Sequence, residues 1–496
     1  MNQDCTSVKT EDLQSVQKTI RSGFVWLGTA SIVSQILDAI STLVVIIYIR
    51  EADMGVATLA VQFSKCIEAF IALGVGKALV QDNALTDKET SSLFWFASVF
   101  GIALAVGLIP VAWGLSSFYH APMLVPLFLV CLLDLVFLNI GEVPKKLVER
   151  RLEYSKCTLI FVIATFVSSL VKIVLAVLGT GAWSLVLAYT SYGFVFMVTA
   201  FAVSKYRPEW HFNRSECKRF VQFGYKYCLS NLIETLNKNI HYFVIGKYFD
   251  HAILGMYRVG YELAMTPALA LLNVVNQSSY AVFAKIKDKK DELSKIFAWN
   301  QGNIAIFAMV PIVFILFCSE DIFSLMDGGK WMPAVQFIPF VLGIAFIKSL
   351  VQTFPELYRA SGKPEYSLRT DIFECFLICI FFAAALAICA LMGTNDDLSL
   401  KILFVSWLLL FVPLFFYHRK LAKKLIDTGF RSMLRSISKA GAFFGVAYGL
   451  SFPLRHFQNV LPWQPWFHMV MEVLILLACI GWYMKWIQKS PTISSK

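Results

Sequence analysis

The chain has 496 residues, of which 57% are hydrophobic and 16% charged, and its mean hydropathy is +0.65. A water-soluble globular chain is about 25% charged, so the composition excludes that class and describes an integral membrane protein. The net charge of +11 does not indicate a nucleic-acid partner, because the basic residues cluster in short loops, where they set membrane orientation.

Residues 1–19 are polar and lack the basic and apolar regions of a cleaved signal. They are expected to form a cytoplasmic tail, with the first span as an uncleaved anchor. A span needs about 20 mainly apolar residues. About fourteen stretches qualify, near 20–49, 54–76, 91–115, 122–142, 157–178, 182–204, 220–247, 252–284, 296–318, 333–358, 367–392, 399–418, 437–454 and 465–487. These runs are too long, and alternate too little, for a β-barrel. The expectation is therefore an all-α membrane fold. With the N-terminus inside, roughly 34 of the 44 Lys and Arg residues fall on the cytoplasmic side, which puts both termini there.

No loop is long enough for a soluble domain. The longest polar segments are the tail, a connector over 205–219 and a basic loop over 419–436. There is no phosphate loop, no HExxH, no GxSxG and no metal-spaced His/Cys cluster. The eleven cysteines contain no CxxC pair and read as small core residues. No cofactor, metal or enzymatic activity is expected.

Two signs point to an internal duplication. Gly23 and Gly55 are echoed by Gly224 and Gly255, and each second glycine follows a short polar turn. The stretch Pro144 to Glu153-Tyr154-Ser155 is echoed by Pro355 to Glu365-Tyr366-Ser367. The expected organisation is a six-helix bundle over 20–204, the connector, a second six-helix bundle over 220–418, the basic loop, two extra helices over 437–487 and a tail over 488–496. Duplicated halves are a mark of secondary transporters, whose site lies between the repeats.

Several segments resemble one family. Phe70 to Gly74-Val-Gly76 and Gln81, Val143-Pro144 through Arg150-Arg151-Leu-Glu-Tyr154, and Gly179-Thr-Gly181-Ala-Trp183-Ser-Leu185 match its motifs. Arg207-Pro208, Phe223-Gly224, Ile245-Gly246 and Leu254-Gly255-Met-Tyr257 follow in the expected order. The chain thus resembles the Wzx-type polysaccharide-exporter flippases of the MOP superfamily over about residues 20–370. It departs from them at His241, where the family often carries an acidic residue, and at Tyr280-Ala281, where it usually carries a Pro. The resemblance implies two six-helix bundles in a V around a cavity of alternating access, in the bacterial cytoplasmic (inner) membrane. It implies a substrate of undecaprenyl-diphosphate-linked oligosaccharide for O-antigen, capsule or exopolysaccharide. Membrane lipids, a polysaccharide polymerase and export machinery are the implied partners. A peptidoglycan-precursor flippase and a multidrug or cation exporter of the same superfamily remain as alternatives, with a polytopic glycan ligase or polymerase as a rival of another class.

A diphosphate and its sugars need buried cations and hydrogen-bonding groups to cross about 30 Å of hydrocarbon. Ionisable groups at that depth mark interiors and pathways. Lys65, Lys238, Arg258 and Lys348 are the candidate anion-binding residues, with Lys172 a weaker case, and Gln35, Asn237, Asn273 and Asn276 are candidates for sugar contact. Asp38, Glu68, Asp134, Glu234, His241 and Glu262 are coupling or ion-pair candidates. Lys65 with Glu68, Glu234 with Lys238 and Arg258 with Glu262 stand three or four residues apart, the spacing of pairs along one helix face. Pro267 is a candidate hinge.

Overall fold

A computed structural model describes residues 33–71, 86–327, 329–426, 441–453 and 465–489, with a few isolated positions besides. The expected tails, most of the basic loop and the side chains over 269–278, including Asn273 and Asn276, lie outside the described residues. The described residues are helical and contain no strand.

In chain order the helices are α1 (Val33–Tyr48), α2 (Glu51–Glu68), α3 (Asp87–Tyr119), α4 (Leu124–Arg150), α5 (Tyr154–Val177), α6 (Ala182–Ser204), α7 (Arg214–Tyr248) and α8 (His251–Lys285). Then follow α9 (Lys290–Asp327), a 3-10 turn (Met332–Phe337), α10 (Ile338–Val351), α11 (Thr353–Ala360), α12 (Pro364–Met392), α13 (Asp396–Ala422), α14 over 441–453 and α15 (Pro465–Lys489). Among the described residues, nine helical segments are long and apolar enough to cross a membrane. The chain is a multi-pass membrane protein.

Most helices run past the apolar stretch that marks them, because polar residues cap them. Thr86 starts α3 four residues before the predicted 91. Its hydroxyl accepts from the Glu89 amide, and the Glu89 carboxylate accepts from the Thr86 amide, which satisfies two amides that would otherwise lack partners. Asn395 caps α13 in the same sense, accepting from the Leu398 amide, with Asp396 and Asp397 at the positive end of the helix dipole. α7 begins at Arg214, inside the predicted connector. The connector itself is fastened to α3: the Glu209 amide donates to Ser91 Oγ, the Asn213 amide donates to Ser92 Oγ, and the Trp95 indole donates to the Glu209 carbonyl.

The chain divides into two compact units, 1–255 and 256–496. In the first unit α4 packs on α3, α5 and α6. Its interior is a set of apolar clusters, such as Leu138, Ile160, Ala164, Phe196 and Ala200. Contacts are close where one partner is glycine. A Cβ at Gly193 would fall on the Asp134 carboxylate, and a Cβ at Gly55 would fall on the His251 carbonyl. Gly255 in turn abuts the carbonyl of Glu51, four residues before Gly55.

In the second unit, α9 packs on α10 and α15, and α12 packs on α13. One end of this unit is closed by a knot of side chains from five helices. It comprises Phe283, Leu293, Phe297, Phe354, Leu357, Tyr358, Tyr366 and Leu421, and the Tyr358 hydroxyl donates to the His418 carbonyl at 2.9 Å.

Both units contain the same succession of caps. After α4, the amides of Arg151, Leu152 and Glu153 donate to Leu147, Glu149 and Val148, with Leu152 left-handed at φ 57°. After α11, Ser361, Gly362 and Lys363 donate to Leu357, Arg359 and Tyr358, with Gly362 at φ 73°. The following helices end alike too. α5 stops at Gly179-Thr180 and α12 at Gly393-Thr394; each glycine is left-handed, and each Thr amide and hydroxyl donates to the carbonyl five residues back. The local chain geometry is therefore repeated at offsets of a little over 200 residues, as the Pro144 and Pro355 stretches suggested.

Candidate functional site

A cavity of about 590 Å³ opens within the first unit. Five helices line it, each with residues at helical spacing: Ser34, Gln35 and Asp38 from α1, Lys65 and Glu68 from α2, and Asp134 and Leu138 from α4. α5 adds Phe161, Thr165, Ser168 and Ser169, and α6 adds Tyr189 and Tyr192. Residues three, four or seven apart share a helix face, so each of these apolar helices turns one polar stripe inward. Polar groups that lipid would not host gather where a wet interior accepts them.

The electrostatics of the cavity are mixed. Lys172, one turn beyond Ser168 and Ser169, donates to Asp38 Oδ1 at 2.5 Å and to Thr42 Oγ1 at 3.1 Å. The ammonium is buried, whereas the Asp38 side chain is 67% exposed. Lys172 thus neutralises Asp38 from a helix distant in sequence. Glu68 accepts a hydrogen bond from the Tyr189 hydroxyl. Among the described residues no carboxylate comes within ion-pairing distance of Lys65. The expected Lys65–Glu68 pair therefore does not form: Tyr189 takes the carboxylate, and the Lys65 ammonium faces the cavity exposed. Asp134 is fully buried against Gly193. The walls hold three carboxyl groups, Asp38, Glu68 and Asp134, and the ammonium of Lys65, while Lys172, outside the lining, bonds Asp38.

The other two expected pairs do form. Lys238 bonds Glu234 at 2.6 Å, with both side chains about half exposed, and Arg258 bonds Glu262 at 3.0 Å. Glu234, Asn237, Lys238 and His241 lie along α7 and do not line the cavity. His241 is fully buried with its ring 4.1 Å from that of Tyr242, and Asn237 is buried. Arg258, Glu262, Pro267 and Lys348 belong to the second unit, where Lys348 is buried in α10 and Pro267 is exposed within α8.

Of the expected residues, the cavity gathers Gln35, Asp38, Lys65, Glu68 and Asp134. Sequence reasoning gave too little weight to Lys172 and overlooked the hydroxyls of Thr165, Ser168, Tyr189 and Tyr192. A signal existed: Tyr189-Thr190-Ser191-Tyr192 is a run of four hydroxyls inside an otherwise apolar helix. As a whole the cavity offers one cation outside ion-pairing distance of the described carboxylates, an ion pair and a ring of hydroxyls and carboxyls. That set suits a polar solute bearing an anionic group.

The model of the family described as "Polysaccharide biosynthesis protein" matches residues 48–336. The chain is 22% identical to the lipopolysaccharide biosynthesis protein WzxC of Escherichia coli over 73% of its length and 74% of the relative's. It is 21% identical to the teichuronic acid biosynthesis protein TuaB of Bacillus subtilis over 90% of its length and 92% of the relative's. Among solved structures, the inward closed lipid II flippase MurJ superposes with a TM-score of 0.66 at 13% identity, covering 93% of this chain and 99% of that one. An inward-facing MATE-family multidrug transporter of the MOP superfamily superposes with a TM-score of 0.60 at 15% identity, covering 80% and 98%.

Proposed function

Because the chain belongs to the polysaccharide biosynthesis protein family, we propose that it carries lipid-linked oligosaccharide repeat units from the inner to the outer leaflet of the bacterial cytoplasmic membrane. The relatives named above serve two different surface polymers, a lipopolysaccharide and a teichuronic acid. What such polymers share is a hydrophilic glycan assembled on a lipid carrier, so an undecaprenyl-diphosphate glycan is the substrate class we infer. The reading makes the chain a transporter with both termini cytoplasmic. Peptidoglycan-precursor flipping and drug export rest on likeness of fold alone.

The observation that carries the reading is the polar cavity of the first unit. Lys65, outside ion-pairing distance of the described carboxylates, is the group we assign to the substrate's phosphates, as a point charge. Gln35, Ser168, Tyr189 and Tyr192 are the groups we assign to sugar hydroxyls. A lipid tail needs no such groups and can remain in hydrocarbon. Asp38, Glu68 and Asp134 are the carboxyls available for a coupling cation, and Lys172 holds the first of them.

A deletion strain tests the proposal. Loss of surface glycan, with lipid-linked glycan accumulating on the inner leaflet, is the expected result, and mass spectrometry of that material identifies the glycan. Normal surface glycan with altered drug tolerance would overturn the proposal.

A further inference from the structure

The second unit holds a group of side chains that the transport reading does not use. Cys318 and Asp321 stand one turn apart on α9, and His468 and Glu472 stand one turn apart on α15. All four are buried. His468 Nδ1 lies 2.6 Å from Asp321 Oδ2. The Cys318 sulfur, an Asp321 carboxylate oxygen and a His468 ring nitrogen all fall within 4.8 Å of one another. Among the described residues, two further atoms there are buried without a hydrogen-bond partner, His468 Nε2 and Glu472 Oε2; the other oxygen of Glu472 accepts from Ser451 Oγ of α14 at 2.6 Å. A buried imidazole nitrogen and a buried carboxylate oxygen without partners are costly in an interior.

We propose that Cys318, Asp321 and His468 form a binding site for one divalent zinc-class cation, which staples α15 to α9. The donor set chooses the metal. Thiolate, imidazole and carboxylate together suit Zn2+, whereas Ca2+ and Mg2+ take oxygen ligands. Tetrahedral zinc holds N, O and S ligand atoms roughly 3.3–3.6 Å apart, so a bound ion replaces the 2.6 Å contact between His468 Nδ1 and Asp321 Oδ2, opening it by about 0.7 Å, while the sulfur closes by about 1 Å at most. Glu472, on the same face of α15 as His468 and outside the cluster of ligand atoms, is the nearby carboxylate for orienting the imidazole. The sequence conceals the site, because Asp321 and His468 are 147 residues apart. The site is independent of the cavity in the first unit and of the glycan assigned to it.

The test uses the full chain purified in detergent, stripped with a chelator and titrated with Zn2+ alone and with Co2+ alone. One equivalent of Zn2+ should bind, and Co2+ should develop a thiolate-to-metal absorption band. Cys318→Ser should abolish the band, and His468→Gln should remove the bound equivalent. Zn2+ should raise the thermal midpoint of the wild-type chain and leave that of both variants unmoved. If His468→Gln fails to fold, Cys318→Ser, which changes one buried atom, still decides the matter through the band. No stoichiometric binding, or an unchanged Co2+ band in Cys318→Ser, would overturn the proposal.

Discussion

At the scale of single residues, the Lys172–Asp38 pair and the exposed Lys65 make opposite predictions. Lys172 is buried, so Lys172→Met removes its charge-assisted contact with the Asp38 carboxylate. Loss of this charge-assisted contact should cost on the order of 1–3 kcal/mol, read as a lower thermal midpoint in detergent. Adding Asp38→Asn to that variant should recover part of the loss, since removing both partners is milder than stranding one. A double variant no more stable than Lys172→Met would deny the pair its structural role. Among the described residues Lys65 bonds no carboxylate, so Lys65→Gln should leave stability nearly unchanged. Export in a complementation assay should fall by about tenfold, the effect of one lost charge-assisted contact of ~1.4 kcal/mol. A folded Lys65→Gln protein with full export would remove Lys65 from the substrate path.

Individual helices were legible to different depths. Apolar length located α3, α5, α6, α12 and α13 to within a few residues, because hydrophobic runs have one solution in a bilayer. Their ends were missed where a polar residue extends the helix, as Thr86 and Asn395 do. Pairings along one helix were readable from spacing, and Glu234–Lys238 and Arg258–Glu262 form as expected. Pairings between helices were not. Asp38 finds Lys172 across 134 residues, and Glu68 finds Tyr189 across 121, distances over which no periodicity carries information. The repeated caps yield a test at this scale. Gly179 and Gly393 are both left-handed and both have open space where a Cβ would stand. An alanine at either is opposed by backbone strain alone, about 1–2 kcal/mol. The two variants should lower the thermal midpoint by similar amounts, and a large difference would count against equivalent turns. Gly193→Ala differs in kind, because its Cβ meets Asp134. That overpacking should cost about 1–3 kcal/mol, and Asp134→Ala in the same chain should relieve it.

For the molecule as a whole, the fold class and family were readable because both depend on long, ordered patterns: apolar spans, biased loop charges and motifs in series. The site was readable only in part. Acids and bases at membrane depth announced an interior, and four of them, Asp38, Lys65, Glu68 and Asp134, line one cavity together with Gln35. Their net balance was not foreseen, since it depends on which helices meet. Neutralising Lys238, Arg258 and Lys348 together, through Lys238→Gln, Arg258→Gln and Lys348→Gln, tests the remaining cations outside that cavity. Export should be lost if they serve the substrate. Unchanged export would leave the first unit's cavity as the whole of the anion site.

The aromatic knot in the second unit carries one more consequence. Phe283, Phe297, Phe354, Tyr358, Tyr366 and Leu421 bring the ends of five helices into a single packed layer. Opening any one of these helices at that end must break the layer, whereas the opposite ends of the same helices are free of it. Amide protons around 353–366 should therefore exchange with deuterium far more slowly than those near 392–398, where α12 turns into α13 through a single left-handed glycine. Exchange lifetimes should be graded along each helix, and the helices of this unit would fluctuate like reeds rooted at one end.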